Sequence, residues 1–195
     1  MRGIAAGHPE AAREELWFED EARVGQKGRT THVWHQKGVR PRGVREHRFA
    51  SAHLFGAVCP ERDAGVALVL PEVSTAAMNL FLAELARAVP EDAHAVVVLD
   101  RAGWHVSAGL AVPTSLTLVH LPPYSPELNP AERLFEEIRR HVEGRVYATL
   151  DAKVAEVQSF LEELDADPPR VRRLCGWDRI NTTIAALPGS LANAA

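Results

Sequence analysis

Cysteine is scarce in this sequence: Cys59 and Cys175 are the two among 195 residues, and they lie far apart. This number and spacing exclude a disulfide framework and a C-x-x-C zinc site, so we expect two buried free thiols. Long apolar runs are also missing. No window approaches the roughly 20 apolar residues of a membrane span, and the first 16 residues lack the apolar core of a secretory signal. We therefore expect a cytoplasmic protein with no membrane partner.

Internal repeats and linkers are likewise absent from the sequence. The chain has 46% hydrophobic and 25% charged residues, which is typical of a globular domain with a substantial core. We expect residues 1–195 to form a single domain.

Lysine is rare, with three residues against 19 arginines. The net charge of −4 argues against a protein that is basic throughout. Residues 23–48, however, hold eight basic residues and the single acid Glu46, a local charge of +7 that leaves −11 for the rest. Such a block is either a solvated face or a surface for the phosphates of a nucleic acid. On the second interpretation, the candidate DNA-binding residues are Lys37, Arg40, Arg42, Arg45 and Arg48.

The order of apolar patterns predicts an α/β fold. Strand-like segments at 15–20, 47–60 and 65–71 indicate an antiparallel meander, and a helix capped by Ser74 follows. The continuous apolar run that ends at Leu99 is typical of a parallel strand buried on both faces. A loop with a short helix, a second parallel strand at 116–121, a helix from near Asn129 and a helix near 151–165 complete the pattern. We expect a mixed five-stranded sheet, a meander plus two parallel strands, flanked by helices.

Three carboxylates stand out at the ends of these elements. Asp100 closes the buried strand, where it could cap the following turn or take part in chemistry. Asp20 extends the face of Leu16 and Phe18, which look buried, whereas we expect Glu19 and Glu21 to face solvent.

Glu132 follows a proline-rich segment, LPPYSPELNP, at the start of a helix. Asn129 as N-cap, Pro130 at the first helical position and Glu132 at the third resemble a capping box, which would explain Glu132 without a function. On the helical wheel, however, Glu132 lies at the shoulder of the apolar stripe, from which it could reach the sheet. If Asp20, Asp100 and Glu132 converge, they form an oxygen site suited to Mg²⁺ or Mn²⁺ and to phosphoryl transfer with two ions.

Four segments occur in a characteristic order between residues 15 and 175: WFEDEARVG, VWHQKGVRP, VLDRAGWH and LPPYSPELNPAERLF. They resemble the catalytic domain of mariner-superfamily DDE transposases, in particular the bacterial insertion-sequence branch. The resemblance implies a ribonuclease H-like fold in which Asp20, Asp100 and Glu132 are the catalytic, metal-binding triad. It also implies that the proline-rich segment positions the helix that carries Glu132.

The same resemblance implies an activity and its partners. A metal-activated water would cut at transposon ends, and the freed 3′-hydroxyl would attack target DNA, usually at TA, with Mg²⁺ or Mn²⁺ as cofactor and two ions expected. The implied partners are transposon-end DNA, target DNA and a second copy of the chain in a homodimer. Such a bacterial protein would be associated with the nucleoid.

The sequence departs from the family pattern in two places. Arg101 stands where the family more often has Gly or Asn, and it could contact DNA or perturb the site. The chain also begins just before the first catalytic strand, so we expect the N-terminal helix-turn-helix to be absent and supplied by a separate subunit or a frameshift-fused domain. His105, five residues after Asp100, is an auxiliary candidate or a histidine satisfied by local hydrogen bonds.

Two alternatives to an active transposase remain at the level of sequence. A truncated or frameshifted element, or an engineered fragment, could be a catalytically silent remnant that acts as a DNA-binding or interaction module. A stand-alone ribonuclease H-like nuclease would share the chemistry, but it would not need the segment around Asn129 or the basic block.

Overall fold

The computed structural model describes residues 13–27, 36–38, 48–123 and 125–185. Within these ranges the strands are β1 (Arg13–Gly25), β2 (Ser51–Cys59), β3 (Ala64–Leu70), β4 (Ala93–Leu99) and β5 (Leu116–His120). They form one sheet in the order β3-β2-β1-β4-β5. The pairs β1–β2 and β2–β3 are antiparallel, and β1–β4 and β4–β5 are parallel. The predicted sheet, a meander plus two parallel strands, is confirmed.

The helices of the described ranges are α1 (Thr75–Ala88), α2 (Ala131–Val142), α3 (Leu150–Ala166), α4 (Pro169–Cys175) and α5 (Asp178–Ala185). Ser74 caps α1 as predicted, since its side chain accepts a hydrogen bond from the Ala77 backbone N–H at 3.1 Å. The helix expected near 151–165 is α3. The last two helices were not predicted.

Each face of the sheet is covered, and strand β1 contributes to both cores. Leu16 and Phe18 pack with α2, α3, α4 and α5 on one face, whereas Trp17 packs with α1 on the other. The predicted alternation along β1 is therefore confirmed. Strand β4 is buried along its whole length, as a parallel strand covered on both faces must be.

The short helix expected within residues 101–113 does not form; the segment consists of turns, a bend and irregular backbone. Asn79 of α1 donates from Nδ2 to the Gly109 carbonyl at 3.1 Å and accepts from the Ala111 N–H at 2.8 Å. The Ser107 hydroxyl accepts from the Gly109 N–H at 3.2 Å. Side chains therefore satisfy backbone groups that a helix would have bonded internally.

Both cysteines are buried free thiols, as expected, and burial raises the pKa of each to about 12. Among the described residues, no helix has the length and apolar character required to cross a membrane.

Candidate functional site

The end of the ladder between β1 and β4 brings two predicted site residues together. The parallel ladder pairs Phe18 with Val98, and two residues further along each strand are Asp20 and Asp100. The carboxyl ends of parallel strands meet at one edge of a sheet, which is where ligands of α/β proteins gather. Asp20 and Asp100 therefore lie side by side at that edge.

Asp20 is a largely buried carboxylate that forms no ion pair with any basic side chain in the described ranges. Its Oδ1 accepts a hydrogen bond from the Glu21 backbone N–H at 2.8 Å. Burial, followed by the negative charge of Glu132, raises the pKa of Asp20 to about 7; the charges of Glu21 and Asp100 add to the rise. Among the described residues, the Asp20 carboxylate therefore lacks a compensating positive charge.

Asp100 is more accessible, with 63% of its side chain exposed. Its Oδ1 accepts from the Ala102 backbone N–H at 2.8 Å, so the predicted turn cap does form. The same Oδ1 lies 2.8 Å from Nδ1 of His105. Its Oδ2 has no hydrogen-bond partner among the described residues, which leaves one oxygen available to a ligand.

Glu132 is not part of a capping box, and that expectation was wrong. The Asn129 backbone N–H, which Glu132 would have to bind, donates instead to the Pro126 carbonyl at 2.9 Å. Residues 126–128 form a short 3-10 helix before α2, and this turn occupies the group. The Glu132 carboxylate lies 3.6 Å from Nη2 of Arg139, and both side chains are partly exposed.

Asn129 connects the start of α2 to strand β1. Its Nδ2 donates to the Glu19 carbonyl at 2.7 Å, and its Oδ1 accepts from the Ala131 N–H at 3.1 Å. A second contact lies one turn along α2, where a Cβ added to Gly56 would be 3.0 Å from Cζ of Phe135. Because Gly56 pairs with Asp20 across β1–β2, this close approach sets the height of α2 above the sheet at Asp20.

Asp20, Asp100 and Glu132 line one cavity of about 380 Å³. The proline-rich segment forms part of its wall, and proline fixes the backbone of that wall without requiring regular structure. Arg101 also lines the cavity, and its Nε donates to the Leu121 carbonyl at 3.3 Å. The remaining lining residues are Ala102, Leu121, Pro122, Pro123, Ser125, Pro126 and Asn129.

Glu19 and Glu21 do not face solvent, contrary to the prediction. Glu19 is fully buried, and neither carboxylate oxygen has a hydrogen-bond partner among the described residues. Burial, reinforced by the negative charge of Glu21, raises the pKa of Glu19 well above its usual value. The cause is the loop after β4, whose Trp104 and His105 side chains cover this end of the sheet. In the sequence, the large apolar side chain of Trp17 on the same face of β1 was the sign that this face is buried.

Glu21 anchors this loop. Its Oε1 accepts from Nε1 of Trp104 at 2.6 Å and lies 2.8 Å from Nε2 of His105. Burial lowers the pKa of His105, but its hydrogen bonds and charge interactions with Glu21 and Asp100 outweigh burial, so the net shift is upward. Glu19, Glu21 and His105 each offer one potential metal ligand atom within 4.8 Å of the others. This second acidic cluster lies on the α1 face, opposite Asp20.

The predicted phosphate-binding block is only partly described. Lys37 and Arg48 are exposed, and Arg48 donates to the carbonyls of Tyr147, at 2.6 Å, and Ala148. Arg40, Arg42 and Arg45 lie outside the described residues. A separate cavity of about 350 Å³ adjoins Glu21 and Arg139, and its basic lining residues are Arg23, Lys27, Arg139, Arg145 and Lys153.

Comparison with known proteins gives a family and a fold. Residues 15–152 match the family described as DDE superfamily endonuclease. The chain is 48% identical over 101 residues to the uncharacterized protein y4pE/y4sA of Sinorhizobium fredii (strain NBRC 101917 / NGR234), an alignment that covers 51% of this chain and 75% of that protein.

Solved structures of Mos1 mariner transposase share the fold. The paired-end complex with Mn matches at a TM-score of 0.63 and 17% identity, covering 86% of this chain and 53% of that one. The Mos1 catalytic domain matches at a TM-score of 0.54 and 15% identity, covering 90% and 82%. The chain thus spans about half the length of the Mos1 chain in the paired-end complex. The fold is ribonuclease H-like, as predicted.

Proposed function

Because the chain belongs to the family of DDE superfamily endonucleases, we propose that it is the catalytic part of a DNA transposase. The proposed reaction is phosphodiester hydrolysis at transposon ends, followed by transfer of the 3′-hydroxyl into target DNA. The observation that carries the proposal is that Asp20, Asp100 and Glu132, from two strands and a helix, line one cavity.

The chemistry of this cavity fits Mg²⁺ or Mn²⁺. Its acidic groups offer oxygen ligands, which these hard cations prefer, and the pKa of Asp20 is raised by burial and by the negative charge of Glu132. We assign two ions to Asp20, Asp100 and Glu132. When bound, such a pair activates an attacking oxygen and stabilises the leaving oxygen at phosphorus.

The protein's own contribution is to hold the three carboxylates in place. Asp20 and Asp100 follow the rigid ladder between β1 and β4, and the Asn129 side chain ties the start of α2 to β1. Glu132 lies in the first turn of α2, so it approaches the two aspartates from above the sheet. Preorganised groups of this kind lower the reorganisation needed during reaction.

DNA is the proposed partner, held through its phosphates. The predicted block, Lys37, Arg40, Arg42, Arg45 and Arg48, would bind without base preference. The basic cavity beside Arg139 offers a second surface for phosphates. The Mos1 chains of similar fold are described as paired-end and strand-transfer complexes. We propose a homodimer for this chain, with end recognition by a separate helix-turn-helix subunit or a frameshift-fused domain.

Glu132→Gln tests the assignment, because the described structure contains no capping bond that the change would remove. An amide is a poorer metal ligand than a carboxylate, so we expect cleavage of transposon-end DNA with Mn²⁺ to fall about 10³-fold, equivalent to about 4 kcal/mol of lost transition-state stabilisation. The assay includes the recognition domain. Circular dichroism should show an unchanged fold.

The matched control is Glu136→Gln, one turn further along α2, where the carboxylate is as exposed as that of Glu132 and is paired with Arg140 at 2.8 Å. It should cleave like the parent. Parental cleavage by Glu132→Gln would disprove the triad. Absence of any melting-temperature rise in the parent at millimolar Mn²⁺ would instead favour a catalytically silent remnant, since a ligand of the native state stabilises it.

Phosphate binding predicts a salt-dependent affinity. Replacing Arg40, Arg42 and Arg45 with Gln should reduce the slope of log K against log salt by about 0.9 for each phosphate that the protein no longer neutralises, while Mn²⁺ binding stays unchanged. Arg87→Gln is the control, because Arg87 lies on α1 and is paired with Glu84. An unchanged slope in the triple variant, or nanomolar sequence-specific binding by this chain alone, would contradict the assignment.

A further inference from the structure

On the α1 face of the sheet, hydrogen bonds through His105 join Asp100 to Glu21. Glu21 follows Asp20 in β1, and its Oε1 lies 2.8 Å from Nε2 of His105. On the other side of the ring, Nδ1 lies 2.8 Å from Oδ1 of Asp100. One imidazole therefore spans the gap between strand β1 and the residue that follows β4.

The ring of His105 is held on every side. The residue is 2% exposed, its backbone N–H donates to the Ala102 carbonyl at 2.9 Å, and its carbonyl accepts from Nε2 of His120 at 3.3 Å. Trp104 packs edge-on to the ring with centroids 5.7 Å apart, and its own Nε1 donates to Glu21. The ring thus has one orientation, with both nitrogens directed at carboxylate oxygens.

We assign the ring hydrogen to Nδ1 of His105, so that this nitrogen donates to Oδ1 of Asp100, because a carboxylate oxygen accepts. Asp100 Oδ1 consequently receives two hydrogen bonds, one from His105 and one from the Ala102 N–H. With Oδ1 occupied, the carboxylate plane is set and Oδ2 is the oxygen left for the cavity. Without His105, only the backbone bond would restrain a side chain that is 63% exposed.

We propose that His105 is a positioning residue that orients Asp100 for metal binding, with Glu21 as the anchor that ties it to the strand carrying Asp20. The inference rests on the proposed function, since it presumes that Asp100 is a metal ligand. Hydrogen bonds to metal ligands orient them, and their loss usually weakens metal affinity about 10- to 100-fold. His105 itself contacts no substrate in this scheme.

Two amide substitutions separate the two bonds of the ring. In His105→Asn, the side-chain NH₂ takes the position of Nδ1 and can still donate to Asp100. In His105→Gln, the NH₂ takes the position of Nε2 and can donate to Glu21 but not to Asp100. His105→Ala removes both bonds. The measurements are the Mn²⁺ dissociation constant, from the paramagnetic resonance of free Mn²⁺ at one fixed pH, and the melting temperature without metal.

We expect His105→Gln and His105→Ala to weaken Mn²⁺ binding about 10- to 100-fold, and His105→Asn to weaken it no more than about threefold. If His105 only stabilised the fold, the Mn²⁺ affinity of each variant would fall in proportion to its melting temperature. It would not matter whether the bond to Asp100 or the bond to Glu21 is kept. The inference is overturned if Asn and Gln weaken binding equally, or if none of the three variants weakens it.

Two further variants distinguish this inference from its premise. Asp20→Asn should weaken Mn²⁺ binding at least about tenfold if the cavity holds the ion; an unchanged affinity would overturn the proposed function itself. Glu19→Gln is a near-isosteric change at a fully buried carboxyl whose Oε2 lies 3.5 Å from Nε2 of His105. It leaves the bond from His105 to Asp100 in place, so it should weaken the affinity no more than about threefold. If Glu19→Gln abolished binding while Asp20→Asn did not, the ion would lie among Glu19, Glu21 and His105, and His105 would be a ligand instead of a positioning residue.

Discussion

The two ends of the β1–β4 ladder each hold a carboxylate of β1, but the two carboxylates have opposite surroundings. Glu15, near the start, is 1% exposed, and its Oε2 accepts from Nη1 of Arg62 at 2.8 Å and from Nε1 of Trp17 at 3.1 Å. Nη2 of Arg13 lies 3.4 Å from its other oxygen. Glu15 is therefore a structural acid whose charge is offset inside the fold.

Asp20, near the other end, is surrounded by acidic side chains, whereas Glu15 has two arginines beside it. Burial, followed by the negative charges of Glu132, Glu21 and Asp100, raises its pKa to about 7. The comparison teaches that burial alone does not mark a functional carboxylate in this protein. What separates the two ends is whether the protein supplies the compensating cation, and three substitutions test that difference.

The largest effect is expected at the compensated end. Arg62→Met keeps most of the aliphatic stem but removes the cation nearest to Glu15, and loss of one partner of a buried ion pair costs about 3 kcal/mol. Urea denaturation would measure this loss of unfolding free energy. Arg139→Met, which removes the partly exposed partner of Glu132, should cost less than about 0.5 kcal/mol.

A double substitution sharpens this test. Arg62→Met combined with Glu15→Gln removes both charges and should recover most of the lost stability, because the cost comes from an unpaired buried charge. If Arg62→Met alone costs no more than Arg139→Met, the two ends of the β1–β4 ladder do not differ as described.

An intermediate effect is expected at Gly56, where the helix that carries Glu132 approaches Asp20. In Gly56→Ala, the new methyl group would lie 3.0 Å from Cζ of Phe135, and overpacking in a core costs about 1 to 2 kcal/mol. Because the contact sets the height of α2, Mn²⁺ affinity should fall as well. Both changes can be followed by thermal unfolding with and without Mn²⁺.

Gly65→Ala is the matched control in the same sheet, since the nearest atom to its added Cβ is the Ala57 carbonyl oxygen at an ordinary 3.6 Å. Gly65→Ala should alter neither the stability nor the Mn²⁺ affinity appreciably. Adding Phe135→Leu to Gly56→Ala should relieve the clash. Stability and Mn²⁺ affinity that remain parental in Gly56→Ala would show that this contact does not position α2.

The smallest effect concerns pH. The pKa of Asp20 is raised in the folded protein, so folding is disfavoured where the unfolded chain has ionised at this residue, and stability falls as pH rises from about 4 to about 7. Asp20→Asn removes this pH-dependent loss of stability, because asparagine does not ionise. Without metal at pH 8, we expect it to stabilise the protein by about 1 kcal/mol, or about 3 °C in melting temperature.

The gain should shrink as pH is lowered toward 4, where Asp20 is protonated in both states. Differential scanning calorimetry in EDTA across this range provides the measurement, and added Mn²⁺ should reverse the order of the parent and the variant. If the stability gained by Asp20→Asn did not change with pH, Asp20 would have an ordinary pKa. The surroundings of Glu15 and Asp20 would then be electrostatically alike.

Much of this architecture could be predicted from the sequence, because strand parity and apolar runs are local properties. Alternation assigned Leu16 and Phe18 to one face and Trp17 to the other, and the apolar run ending at Leu99 predicted the buried strand. The same reasoning failed for Glu19 and Glu21, because parity identifies a face but not the loop that covers it. It failed for the capping box because the Pro126 carbonyl, in a turn that was not predicted, takes the Asn129 N–H.

The sequence by itself determined the type and order of the elements that carry Asp20, Asp100 and Glu132, since hydrophobic period and caps act over a few neighbouring residues. Only the tertiary structure decided that these carboxylates meet, because the pairing of β1 with β4 and the bond from Asn129 to the Glu19 carbonyl join residues about 80 to 110 positions apart. It also decided that Glu15 is neutralised by Arg62 while Asp20 is not. Charge compensation depends on distance in space, which no local pattern records.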